Sequence, residues 1–152
     1  MKEEEVKLAA PSEKLVLVVD DDELVRSLLE RTLRTEGFSV IMSINGLDAG
    51  ARMQNQAPDL IVTDLMMPGQ GGYEFLRNLQ SSDNSRIPVF VVTGMTLDES
   101  TIQMIRQEAN VVEFISKPIK MAQFLAALHR HLKTAPSISP RNRGINERAG
   151  GF

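Results

Sequence analysis

Five short apolar runs rich in β-branched residues recur along the chain at 15–19, 38–42, 59–63, 88–92 and 112–115, each followed by a longer segment able to form an amphipathic helix. Strands that are apolar throughout suit a sheet covered on both sides, and strands separated by helices pair in parallel through right-handed crossovers. The pattern predicts an α/β fold, a doubly wound (βα)5 sheet with helices on both faces. Leu24, Val25, Leu28, Leu29 and Leu33 in the first helical segment, and Met121, Phe124, Leu125, Leu128 and Leu132 in the last, read as core-facing stripes. Helix punctuation agrees with the alternation. Gly37 is placed to end the first helix, Asn45-Gly46 to open the second, and Thr96-Leu97-Asp98-Glu99 to form a capping box for the fourth.

Length and composition bound what such a fold can be used for. At 152 residues and 42% hydrophobic, the chain can bury the core of one domain without staples. It has no cysteine, which excludes a disulfide framework, a thiolate nucleophile and Cys-ligated zinc, and suits a reducing cytoplasm. His129 and His131, two apart on a helix, point in different directions and read as solvated rather than as a metal pair. A net charge of −3 offers no bulk attraction to nucleic acid or to an anionic membrane, and no apolar run is long enough to span a bilayer. Residues 1–13 read as an N-terminal extension, 14–133 as the folded domain, and 134–152 as a flexible tail or linker whose Arg141, Arg143 and Arg148 are solvated.

In a doubly wound sheet, chemistry collects outside the carboxyl ends of the strands. The first strand runs into Asp20-Asp21-Asp22-Glu23, and the third ends at Asp64. Asp22 suits a helix N-cap. Asp20, Asp21 and Asp64 converging at one edge would repel unless a cation or raised pKa values relieved them, and an all-oxygen donor set fits Mg2+ better than a transition metal. The fourth strand ends in Thr93-Gly94 and the fifth leads to Lys117-Pro118. A carboxylate beside a hard cation, with a hydroxyl, an ammonium and a small-residue backbone, is equipment for holding a phosphoryl group, and Asp64 is the nucleophile available at that edge.

Together, Val-Val-Asp-Asp-Asp (18–22), Asp-Leu-Met-Met-Pro-Gly (64–69), Val-Val-Thr-Gly (91–94) and Ile-Ser-Lys-Pro (115–118) resemble the signature of the response-regulator receiver domain, the CheY-like domain of two-component signalling. The resemblance covers roughly residues 14 to 133 and implies a flavodoxin-like strand order of 2-1-3-4-5. It implies that Asp64 is phosphorylated by a histidine kinase or a histidine phosphotransfer protein. Asp20, Asp21, Asp64 and the backbone carbonyl of Met66 would hold Mg2+. Thr93 would be the switch hydroxyl, Gly94 its phosphate-side neighbour, Lys117 the phosphate-contacting lysine and Phe114 the aromatic switch, with a cis bond before Pro118. The output surface would be the fourth helix, fifth strand and fifth helix, read by an effector protein or by a domain outside this chain, with a homodimer through that face left open. The domain would be a signalling phosphoacceptor that assists its own phosphorylation and slow dephosphorylation, not an enzyme with a separate substrate.

Three departures from the family pattern matter. Phe114 stands where many members carry Tyr, so its ring can repack but offers no hydroxyl. Asn110 replaces a common turn glycine and is expected to tolerate a left-handed backbone. Met66 and Met95 occupy loop positions that could screen an acyl phosphate from water, although plain packing explains them equally well. The stretch Gly69-Gln70-Gly71-Gly72 lacks the lysine and hydroxyl of a phosphate-binding loop and reads as a turn. Two other functions share some of these residues. A Mg2+-dependent phosphohydrolase of the haloacid dehalogenase type would want an aspartate where Met66 stands. An interaction module that works without phosphorylation should lack one of Asp64, Lys117 or the acidic pair, and this chain has them all.

Overall fold

The computed structural model describes residues 7–65, 72–94 and 96–137. Five parallel strands, β1 (Leu15–Val19), β2 (Ser39–Ser43), β3 (Leu60–Asp64), β4 (Val89–Thr93) and β5 (Val111–Ser116), form one sheet in the order β2-β1-β3-β4-β5. The helices between and after them are α1 (Glu23–Glu36), α2 (Gly46–Asn55), α3 (Gly72–Gln80), α4 (Glu99–Arg106) and α5 (Met121–Leu132). A short 3-10 turn, Pro11–Glu13, precedes β1.

Alternate strand residues feed two separate cores, as the period of two in an extended chain requires. Val16, Val18, Leu60, Val62 and Phe90 pack with Leu29 and Leu33 of α1 and Phe124 and Leu128 of α5. Leu17, Val19, Ile61 and Val91 pack on the opposite side with Met53 of α2, Phe75 and Leu76 of α3 and Ile105 of α4. The result is the three-layer arrangement expected of the pattern.

Local chemistry moves several boundaries. Three strands begin one residue later than the apolar runs. Phe38 is still bonded to the end of α1 through Leu33 O, at 3.0 Å. Asp59 sits outside β3, its backbone N–H donating to Leu15 O and its carboxylate accepting from Leu15 N, each at 2.7 Å. Pro88 has no N–H to give and contributes only its carbonyl, which accepts from Ile61 N at 3.0 Å. Gly37 closes α1 with φ +112, a left-handed conformation that a side chain would strain. Asn45 caps α2 by accepting from Asp48 N. For α4 the cap is Asp98, which accepts from Thr101 N at 2.8 Å, and not Thr96. Asn110 is not left-handed either; its Nδ2 donates to Arg86 O at 2.8 Å, a bond glycine could not make.

Two further expectations change. The core stripe of α1 is Val25, Leu29 and Leu33, while Leu24 and Leu28 are 81% and 49% exposed, because residues one position off the stripe turn about 100° away from it. The histidines are paired with carboxylates, His129 buried and His131 partly exposed. His129 is buried, its Nε2 2.6 Å from Glu36 Oε2 and its Nδ1 2.7 Å from Thr134 Oγ1, and His131 Nε2 lies 3.0 Å from Glu113 Oε2. Glu36 also accepts from Ser137 through both backbone N–H and Oγ. Thr134 pairs with Ala9 in a parallel bridge and is 2% exposed. Residues 134–137, which composition assigns to a tail, are thus packed on the base of the domain; Arg141, Arg143 and Arg148 lie outside the described residues.

Candidate phosphoryl-transfer site

The carboxyl ends of β1, β3, β4 and β5 meet at one edge of the sheet, and the candidate residues stand there. Asp20 follows β1, Asp64 ends β3, Thr93 ends β4 and Lys117 follows β5. Register brings Asp64 opposite Val92 and Thr93 opposite Ser116, and Lys117 N donates to Thr93 O at 3.0 Å, so the fifth strand delivers Lys117 beside the fourth. The Lys117–Pro118 peptide is cis.

Asp20, Asp21 and Asp64 each offer an oxygen within 4.8 Å of the others. Their environments differ. Asp20 and Asp64 are buried, whereas Asp21 is exposed. Asp20 is held at several points: its N–H donates to Ser43 O at 3.1 Å, its Oδ1 accepts from Asp22 N at 2.9 Å, and its backbone carbonyl accepts from Arg26 Nη1 at 2.7 Å. Asp22 itself caps α1, as its position suggested.

Lys117 Nζ lies 3.1 Å from Asp64 Oδ2 and 3.2 Å from Asp20 Oδ2. Burial works against its charge, but the hydrogen bond to Asp64 and the charges of both carboxylates outweigh it and hold the lysine pKa above its ordinary value. Asp20 shifts the other way for an acid. Burial, aided by the charge of Asp64, raises its pKa despite the Asp22 N–H and Lys117. One ammonium here faces three carboxylates. A small divalent cation with oxygen preference fits the donor set and the residual crowding.

Near this edge, Gly72 opens α3 and donates to Leu65 O at 3.0 Å. A Cβ here would collide with the Asp64 carbonyl and stand 2.6 Å from Leu65 Cα, so only glycine lets α3 approach the Asp64 backbone this closely. Gly94 is exposed just past β4, with open space where a side chain would be. Phe114 is half-buried on β5 under the Arg106 guanidinium, 5.1 Å from the ring centroid. With Thr93, Thr96, Leu97 and Ile102 it lines a cavity of about 200 Å3 between β4, β5 and the start of α4. Met66, Met95 and Gly69 to Gly71 lie outside the described residues.

Arg26 and Gly72 were not among the candidates. Gly72 falls in a glycine-rich stretch whose sequence signal is a turn. Arg26 had one legible signal: a positive charge in the first turn of a helix opposes the helix dipole and needs a local anionic partner.

A family model described as the response regulator receiver domain matches residues 16–129. The chain is 33% identical over 126 residues to the response regulator MprA of Mycobacterium sp. strain KMS, a match covering 82% of this chain and 54% of that protein. It thus spans about half the length of the curated relatives it matches. Among solved structures, the chemotaxis response regulator CheY4 of Vibrio cholerae superposes with a TM-score of 0.70 at 26% identity, covering 78% of this chain and 98% of the other. The receiver domain of the sensor histidine kinase PA1611 of Pseudomonas aeruginosa, with a magnesium ion coordinated in its active-site cleft, superposes with a TM-score of 0.69 at 25% identity, covering 78% and 97%.

Proposed function

The chain belongs to the response regulator receiver domain family, and from that premise we propose that Asp64 is its phosphoacceptor. The observation that carries the reading is Lys117 Nζ bonded to Asp64 inside a cluster of three carboxylates within 4.8 Å. Receiver domains bind Mg2+ at such a cluster, and here Asp20, Asp21 and Asp64 would hold it, with Met66 O as a fourth donor. Bound there, Mg2+ would neutralise charge on the transferring phosphoryl oxygens.

The chain's own residues do the rest. A carboxylate oxygen of Asp64 attacks the phosphorus of a phosphohistidine in line; the P–N bond breaks, its electron pair leaves with the imidazole, and a mixed anhydride remains on Asp64. Lys117 exchanges its bond to the free carboxylate for one to the transferred oxygens, and Asp20 stays fixed while Asp21 adjusts. This is how the domain assists its own phosphorylation, and water reaching the same centre accounts for slow dephosphorylation. The donor is a histidine kinase or a histidine phosphotransfer protein.

The phosphoryl group then biases a two-state equilibrium. Thr93 turns its hydroxyl toward a phosphoryl oxygen, beside Gly94, and Phe114 moves into the space bordering Thr93. The surface formed by α4, β5 and α5 changes with it and is read by an effector protein, by a domain elsewhere in a longer protein, or by a second copy. No helix among the described residues is long and apolar enough to cross a membrane, which suits the cytoplasmic setting of such signalling.

Incubation with acetyl phosphate and Mg2+ followed by intact mass tests the assignment. The wild type should gain one phosphoryl group and Asp64→Asn none. No adduct, or an adduct surviving the substitution, overturns it.

A further inference from the structure

The backbone carbonyl of Asp20 lies where the sheet stops. On one side, β1 ends its ladder to β2 with the bond from Asp20 N to Ser43 O; on the other, its register with β3 ends at Val19 and Thr63. That carbonyl is met instead by Arg26, one turn into α1, whose half-buried guanidinium donates through Nη1 at 2.7 Å. A cation at this end of a helix is disfavoured by the dipole, so its position needs a compensating partner. The backbone carbonyl of Asp20 supplies one.

We infer that Arg26 is a positioning residue for the acidic pair: by fixing the peptide after Asp20 it aims the Asp20 carboxylate and sets where Asp21 can reach. The inference rests on reading Asp20, Asp21 and Asp64 as the Mg2+ site. Arg26 reaches no carboxylate oxygen by any bond the structure shows; it works through the main chain, as the partners that orient metal ligands commonly do. Its two influences on a cation oppose each other. Its charge repels Mg2+, whereas its hydrogen bond gathers the ligands. With the bond at 2.7 Å and the charge half-exposed and screened, the positioning effect dominates.

The opposition makes the test decisive. Amide shifts are titrated with Mg2+ at fixed temperature for the wild type, Arg26→Met and Arg26→Lys, melting temperatures are taken alongside, and amide exchange at Asp21 and Asp22 is followed in EDTA. Arg26→Met should need about tenfold more Mg2+ for half of the shift. Its Asp21 and Asp22 amides should exchange faster without metal, and Arg26→Lys, which keeps a donor, should recover part of both. A Mg2+ midpoint that is lower in Arg26→Met assigns the residue to charge alone and overturns the inference. So does an unchanged midpoint with a lower melting temperature, the mark of a merely structural role. Should Arg26→Met not fold, Arg26→Ala, which also lacks the donor and the charge, takes its place and the same outcomes decide. A wild type indifferent to Mg2+ instead refutes the cation reading, and the inference falls with it.

Discussion

Lys117 and Asp64, 53 residues apart in the chain, are joined by a 3.1 Å bond from Nζ to Oδ2, and the same ammonium reaches Asp20 at 3.2 Å. The lysine therefore already offsets the charge of two buried carboxylates.

Replacing it should separate its two roles. Lys117→Ala takes a cation away from two buried carboxylates and should lower metal-free stability by about 1–3 kcal/mol, in line with hydrogen bonds to charged groups. Because a divalent cation then relieves more repulsion, Mg2+ should raise the melting temperature by more than in the wild type. Phosphorylation by acetyl phosphate should slow about a hundredfold, the usual effect of removing one donor to a developing anion. Thermal melts with and without Mg2+, and mass-resolved time courses, check all three; an equal Mg2+ response in both proteins would contradict the shared role of lysine and cation.

The switch makes a spectroscopic prediction. Beryllofluoride on Asp64 should shift amides along α4 and β5, where Phe114 and Arg106 meet. Arg106→Met removes a cation–π attraction worth about 0.5–1 kcal/mol at an exposed site, and should move the unligated spectrum part-way toward the beryllofluoride-bound one. Identical α4 amide shifts with and without beryllofluoride would end the two-state account.

At the opposite end of the sheet, Glu36 predicts a pH dependence. Burial alone would raise its pKa, but hydrogen bonds from His129 and Ser137 outweigh that and hold it below the ordinary value of 4.5. A carboxyl depressed in the fold contributes stability above its unfolded pKa and loses it as pH falls through the lower, folded one. Glu36→Gln should thus cost about 1–3 kcal/mol at neutral pH, and the gap to wild type should close as the pH drops below 4.5. Urea unfolding at a series of pH values reads this directly. A gap that does not change with pH would remove the ionised carboxylate from the explanation.

Much of the fold was legible because its information is local. Strand and helix order follow from hydrophobic period, Gly37 and Asn45 from backbone geometry, and Asp20, Asp21, Asp64, Thr93 and Lys117 from their places after strands. The misplaced boundaries were local too, but depended on single bonds: Asp59 to Leu15, Asp98 to Thr101. Leu24 and Leu28 look like core in sequence because a stripe of five apolar residues does not say which edge of it faces inward.

The sequence by itself thus determined the alternating architecture and which side chains gather at the carboxyl edge of the sheet. Which atoms meet was decided by strand order and register. Period and propensity carry no signal that joins Lys117 to both Asp20 and Asp64, puts Arg26 on the carbonyl of Asp20, or turns His129 inward onto Glu36, 93 residues away. A hydrogen bond is made or lost within an ångström, and that distance is set by packing whole helices and strands against one another.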